Sequence, residues 1–195
     1  MIMQTLNLSL LCLALGCSAS AFAGSPVVDN ATLDASGRAY QGNLNINQAA
    51  GDALQQANVK AIAIGTEGQA STQIRQRSDF RANSALDAHA SITGNAFSNG
   101  NGMLGINQSA GAATQQANAV RISISAIAQS IDDSILSQQN VSLANSSDAT
   151  DHTPGSRQVT TSDQAFTGSR GVIQLNQSAG VGNRMANTLS VRVAD

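Results

Sequence analysis

Residues 44–50 alternate. Leu44, Ile46, Gln48 and Ala50 share one parity, and Asn45, Asn47 and Ala49 share the other. A period of two places the two sets on opposite faces of an extended strand. After Gly51 a second alternating arm carries Asn58, Lys60, Ile62 and Ile64. Both arms then return twice. Leu104 to Gly111 leads to Asn118, Val120, Ile122 and Ile124, and Ile173 to Gly180 leads to Asn187, Leu189, Val191 and Val193. β-branched residues at every second position favour strand over helix. The Ala- and Gln-rich middle, Gln48 to Asn58, has helical propensity of its own. Against a helix, Gly51, Gly111 and Gly180 recur at one place, and the third copy adds Gly182. These are read as turn glycines between the arms. Each copy is predicted to be a strand-turn-strand arch. The predicted fold class is all-β: three imperfect repeats stacked as a β-solenoid or cross-β-like layer structure, joined by variable spacers.

Aligning Asn47, Asn107 and Asn176 sets the copies 60 and 69 residues apart. The chain then divides into a signal peptide at 1–23, a lead-in at 24–38, and repeats at 39–64, 96–124 and 165–195. Spacers at 65–95 and 125–164 separate the repeats. Tyr40, Phe97 and Phe166 mark the start of the copies. The aromatic precedes the Asn-Gln pair by 7 residues in the first copy and 10 in the others, which predicts a lead-in turn shorter by three residues in copy one. Ala85-Leu86-Asp87-Ala88 echoes Thr32-Leu33-Asp34-Ala35, so part of the lead-in is expected to repeat as well. Asn145 to Gly155, with Pro154, reads as a flexible loop.

Composition narrows the picture. Only 3% of residues are aromatic and 11% charged, with no Trp, one lysine (Lys60) and one glutamate (Glu67). Ordinary domains carry roughly 25% charged residues. Asn contributes 17 residues and Gln 18, so a single globular core is hard to build from what is left. The net charge of −2 offers no basic patch for nucleic acid. Leu6 to Leu15 is an apolar run too short to span a bilayer, and Ala21-Phe22-Ala23 before Gly24 supplies a small-x-small cleavage pattern. Export by ordinary cleavage is expected, with no later run apolar enough for membrane insertion. Cys12 and Cys17 both lie in this leader. Ala14-Leu15-Gly16-Cys17 has its large residue one place too late for a good lipobox. The mature chain is therefore expected to hold no disulfide, although secreted chains with poor cores usually use them.

The repeated amides supply the alternative. Gln48, Gln108 and Gln177 share the parity of the apolar face, and Asn58, Asn118 and Asn187 do so on the second arm. Burying an unpaired amide costs about 1–3 kcal/mol. Copies stacked in register about 4.8 Å apart let each amide bond the identical one above and below. The candidate assembly ladders are Asn47, Gln48 and Asn58, then Asn107, Gln108 and Asn118, then Asn176, Gln177 and Asn187. Tyr40, Phe97 and Phe166 are read as packing inside the repeat core. Pro26 and Pro154 are the only prolines, and neither lies in a repeat. A stack of this kind leaves sheet edges that another molecule can extend.

The pattern Gly-x-x-x-x-Asn-x-Ala/Ser-Ala-Gly followed by Gln-Gln-x-Asn resembles the Fap functional-amyloid fibril proteins of Pseudomonas-type bacteria. It is similar more loosely to curli subunits. The resemblance implies a secreted subunit that self-assembles into extracellular amyloid-like fibrils for biofilm matrix and surface adhesion. It also implies a related fibril subunit as partner and a dedicated outer-membrane secretion pore. The third copy departs from the pattern with Arg184-Met185 in place of Gln-Gln, and a Cys-x-x-Cys near the C-terminus is absent. Major and minor, nucleating roles both stay open. The alternative is a monomeric β-solenoid surface adhesin.

Catalysis needs a clustered acid, base or nucleophile. His89 and His152 are far apart in sequence, Asp132-Asp133 has no partner acid, and Asp148, Asp151 and His152 lack a ligand spacing. Gly100-Asn101-Gly102 lacks the strand-helix context of a nucleotide site. No catalytic site, metal or cofactor is expected, and a polysaccharide-cleaving β-helix finds no carboxylate cluster.

Overall fold

A computed structural model describes residues 27–78, 86–126 and 155–194. The leader with both cysteines, Pro26, Asp132, Asp133, Asp148, Asp151, His152 and Pro154 lie outside the described residues. The strands are β1 (Val27–Asp34), β2 (Gln41–Asp52), β3 (Gln55–Gly65), β4 (Leu86–Thr93), β5 (Asn101–Ala112), β6 (Gln115–Ser125), β7 (Arg157–Thr161), β8 (Arg170–Val181) and β9 (Arg184–Ala194). No described residue is helical.

The strands form three parallel sheets, ordered β1-β4-β7, β2-β5-β8 and β3-β6-β9. Consecutive strands are therefore not hydrogen-bonded hairpins. Each copy gives one strand to each sheet and meets its own neighbours through side chains. The middle sheet pairs Asn47 with Asn107 and Asn107 with Asn176, and the third sheet pairs Asn58 with Asn118 and Asn118 with Asn187.

Three expectations change. First, β4 and β7 lie within the stretches read as spacers, so every copy has a third arm. The register of that arm is not the expected echo: Leu33 pairs with Ile92, whereas Leu86 pairs with Val27. Side-chain size decides it. This register sets Ala31 beside Ala90, against the small residues Ala50 and Ala110, and leaves Leu33 and Ile92 to the aromatic cluster.

Second, Tyr40 and Phe97 are not equivalent residues in turns of different length. Phe97 N donates to Ser36 O (2.8 Å), and Asn101 N donates to Tyr40 O (2.7 Å). One register thus runs through both turns. It sets Phe97 against Gly37 and Tyr40 against Gly100, each ring filling space that a Cβ on the glycine would take.

Third, β2, β5 and β8 run through Gly51, Gly111 and Gly180 without turning there. The chain reverses two residues later, where Ala53 (φ 53°), Ala113 (φ 53°) and Gly182 (φ 71°) adopt left-handed backbone.

The apolar core lies between the first and middle sheets. Ala31, Leu86, Ala88, Ala90, Ala110 and Ala112 form one cluster. Tyr40, Ile92, Ala96, Phe97, Leu104 and Ile106 form another, and Phe97 stacks on Phe166 at 5.5 Å and 19°. Burying a side chain such as Ile106 contributes about 1.5–3 kcal/mol. The middle copy gains most, because β5 is buried from Leu104 to Ala112 while β2 and β8 keep exposed and half-buried positions. Part of the first spacer also packs on the third sheet. Gln76 Nε2 donates to Gln116 O (3.0 Å) and Gln55 Nε2 to Arg77 O (2.5 Å).

Candidate assembly interface

The nine amides read from sequence form three rows. Asn107 Nδ2 donates to Asn47 Oδ1 (3.0 Å), and Asn176 Nδ2 to Asn107 Oδ1 (2.9 Å). On the facing sheet Asn118 Nδ2 donates to Asn58 Oδ1 (2.9 Å), and Asn187 Nδ2 to Asn118 Oδ1 (3.1 Å). These two rows are cross-linked within each copy: Asn58 to Asn47 (2.8 Å), Asn118 to Asn107 (3.1 Å) and Asn187 to Asn176 (3.0 Å). Each second-arm Nδ2 also reaches a main-chain carbonyl of the middle sheet, as Asn118 does at Ile106 O (3.0 Å). Asn107, Asn118 and Asn176 are at most 2% exposed. At such burial an orphaned amide is costly and a shared one is not.

The third row lies on the other side of the middle sheet, among the apolar residues. Gln108 Nε2 donates to Gln48 Oε1 (2.8 Å), and Gln177 Nε2 to Gln108 Oε1 (2.8 Å). Each glutamine also donates to the first sheet, as Gln48 does at Thr32 O (2.8 Å) and Gln108 at Ser91 O (2.9 Å). The row therefore holds two sheets together as well as three copies.

Sequence reading passed over two further pairs and a cation. Gln115 Nε2 donates to Gln55 Oε1 (3.0 Å), and Gln56 Nε2 to Gln116 Oε1 (2.9 Å). The recurring Gln-Gln was the available signal. Both pairs stop at the third copy, where Arg184 and Met185 occupy the register. Gln116 Nε2 instead donates to Ser178 Oγ (3.0 Å) and to Met185 Sδ (3.8 Å). Lys60 Nζ donates to Asn43 Oδ1 and to Met103 O (3.0 Å), and burial lowers its pKa. Nothing in the repeat marks this role, since the matching residues are Val120 and Leu189.

The recurring glycines mark where copies approach most closely. A Cβ built on Gly51 would lie 1.9 Å from Gly111 O, and one on Gly111 would lie 2.0 Å from Gly180 O. A second row points the opposite way along the sheet. A Cβ on Gly102 would lie 2.0 Å from Gly42 O, and one on Gly171 would lie 2.0 Å from Gly102 O. The requirement is twofold: a positive φ, 113° at Gly51 and 117° at Gly111, and clearance from the neighbouring copy.

Among the described residues, β1, β2 and β3 are each paired along one edge only, and so are β7, β8 and β9. The outer strands of the middle and third sheets are 11 or 12 residues long and contain no proline. Long unprotected edges of this kind accept further strands. His89 sits alone on β4, and no described group of His, Cys, Asp and Glu is arranged to hold a metal.

No solved structure gives a significant match to the chain. A family model described as the functional amyloid protein FapB/FapC family matches residues 18–194, most of the sequence. The repeated strands and amide rows that the chain presents belong, by that match, to a structural amyloid subunit. The chain is a member of the functional amyloid protein FapB/FapC family.

Proposed function

We propose that this chain is a secreted subunit that stacks as a three-layer β-solenoid and self-assembles into extracellular amyloid-like fibrils. The role in view is biofilm matrix or surface attachment, with export through a dedicated outer-membrane pore and a related fibril subunit as a further partner. One observation carries the reading: among the described residues the outer strands of all three sheets keep an unpaired edge, and in the middle and third sheets the amide register is already laid out there. Asn47, Gln48 and Asn58 stand at one end, and Asn176, Gln177 and Asn187 at the other. An incoming chain would extend three sheets in one step, completing backbone ladders and amide rows together.

The test is growth of the mature chain, residues 24–195, desalted from denaturant at neutral pH. Thioflavin fluorescence should rise and be accelerated by seeds, and the product should give reflections near 4.8 Å and about 10 Å. A monomer that persists on dilution would favour the adhesin solenoid instead. Replacing Gln48, Gln108 and Gln177 together with Leu should slow seeded growth. Growth and fibril stability that match the wild type would show that the glutamine row contributes little.

A further inference from the structure

Resting on the self-assembly reading above, we propose that growth is head to tail and that an ionic seam sets its polarity. At each junction Arg157 of one chain lies beside Asp29 and Asp52 of a second copy. Asp29 pairs in register with Ala88, and Ala88 with Arg157, so the three occupy one column of the first sheet. Gly51, Gly111 and Gly180 form the facing column.

In the outer copy that holds β1, Asp29 packs over Gly51, its Oδ2 2.6 Å from where a Cβ directed toward Gly111 would stand. At the open edge of the other outer copy Arg157 fills the groove over Gly180, its Cδ 2.9 Å from the matching point. Continuing the stack by one strand spacing of about 4.8 Å brings the guanidinium against the carboxylate. Asp52 adds a second acid beside Asp29, and the matching position of the third copy is the uncharged Val181. Desolvation first, and the charge of Asp52 second, hold the Asp29 carboxyl above its usual range. An arriving cation relieves the second.

Charge along the remaining strands agrees. β1, β2 and β3 carry Asp29, Asp34 and Asp52 against Lys60. β7, β8 and β9 carry Arg157, Arg170, Arg184 and Arg192 with no acid. Joining like ends would set acids on acids or arginines on arginines, which disfavours the wrong orientation.

The glycine rows point the same way. Within one chain a Cβ on Gly42 would meet nothing within 4 Å, and one on Gly180 would meet only the Arg157 side chain. In a head-to-tail junction each instead faces a carbonyl of the neighbouring chain, Gly42 that of Gly171 and Gly180 that of Gly51. The two outermost glycines thereby take up the same close approach as the inner ones.

Self-seeded elongation of full mature chains tests the seam. One variant makes the acidic edge basic (Asp29→Arg with Asp52→Asn). The other makes the basic edge acidic (Arg157→Asp). Each alone should elongate about tenfold more slowly than wild type, while an equimolar mixture restores growth to within about twofold, because every mixed junction is again complementary. The three substitutions combined in one chain should also recover. Single variants at wild-type rate, or a mixture no faster than its components, would overturn the seam. Wild-type chain that fails to elongate at all would overturn the self-assembly reading instead. The milder Asp29→Asn with Asp52→Asn adds no bulk and guards against misfolding. Its elongation should lose the salt dependence of the wild type, and an unchanged dependence also counts against the seam.

Discussion

Toward β1, β4 and β7 the middle sheet presents Leu104, Ile106 and Ala110; toward β3, β6 and β9 it presents Asn107 and Ser109. All five are no more than 1% exposed. Burial alone therefore does not separate the two sides. What differs is tolerance among the copies at the large apolar residues and at the asparagines. On the apolar side Leu44, Leu104 and Ile173 share one register and Ile46, Ile106 and Leu175 another. On the amide side Asn47, Asn107 and Asn176 never vary, nor do Asn58, Asn118 and Asn187. Apolar contact is non-directional, so a branched residue of similar volume suffices. An amide must place a donor and an acceptor at fixed distance and angle on both neighbours, and only the same residue in the same register does that.

The sharpest way to break this comparison is Asn107→Leu. It leaves Asn47 Oδ1 without its donor from above, and Asn118 and Asn176 Nδ2 without a shared acceptor. The substitution removes four hydrogen bonds of Asn107, and at about 1 kcal/mol net for each a loss of ~4 kcal/mol is expected in denaturant unfolding of the monomer. Ile106→Ala, on the opposite side, should cost about 3 kcal/mol through its cavity. Ile106→Leu, which copies Leu175, should cost under about 1.5 kcal/mol. If Asn107→Leu proves as mild as Ile106→Leu, the amide side is ordinary packing and the distinction fails.

The smallest effects come from two partly buried charges, Asp29 on one side and Lys60 on the other. Burial and Asp52 raise the Asp29 pKa above its ordinary 3.8. Between those two values the folded chain holds a proton that the unfolded chain has released, so stability falls as pH rises through that window. Asp52→Asn should flatten this slope without removing it. Burial lowers the Lys60 pKa below its ordinary 10.5. There the unfolded chain holds the extra proton, and stability rises with pH across the window below that value. Unfolding midpoints measured against pH should show the two opposite slopes, and a flat profile at either end would count against that group's burial.

Much of this was legible because period-two alternation survives in every copy, as does the 11-residue distance from Asn47, Asn107 and Asn176 to Asn58, Asn118 and Asn187. The third arm was harder to see. β7 is only Arg157–Thr161, all of it exposed, and its Val159 and Thr161 share the register of Ala90 and Ile92 without sharing their identity. Gly51 was visible, but the carbonyl that requires it belongs to Gly111, a full copy away. Tyr40 and Phe97 misled for a related reason. Each ring covers a glycine of the adjacent copy, so their positions in the motif alternate instead of aligning. Reading along the chain finds repeated residues; it does not find residues that complement a neighbour.

The parallel sheets also have a consequence in time. Val27 waits for Leu86, Gln41 for Asn101 and Gln55 for Gln115 before a hydrogen-bonded partner strand exists. Among the described strands no hairpin closes first, so the loop-closure entropy of about sixty residues is spent before any ladder rewards it. An emerging chain passes through a stretch in which its first copy is complete and has nothing to pair with. The delay is written into the order of the strands, and it lasts until a second copy arrives.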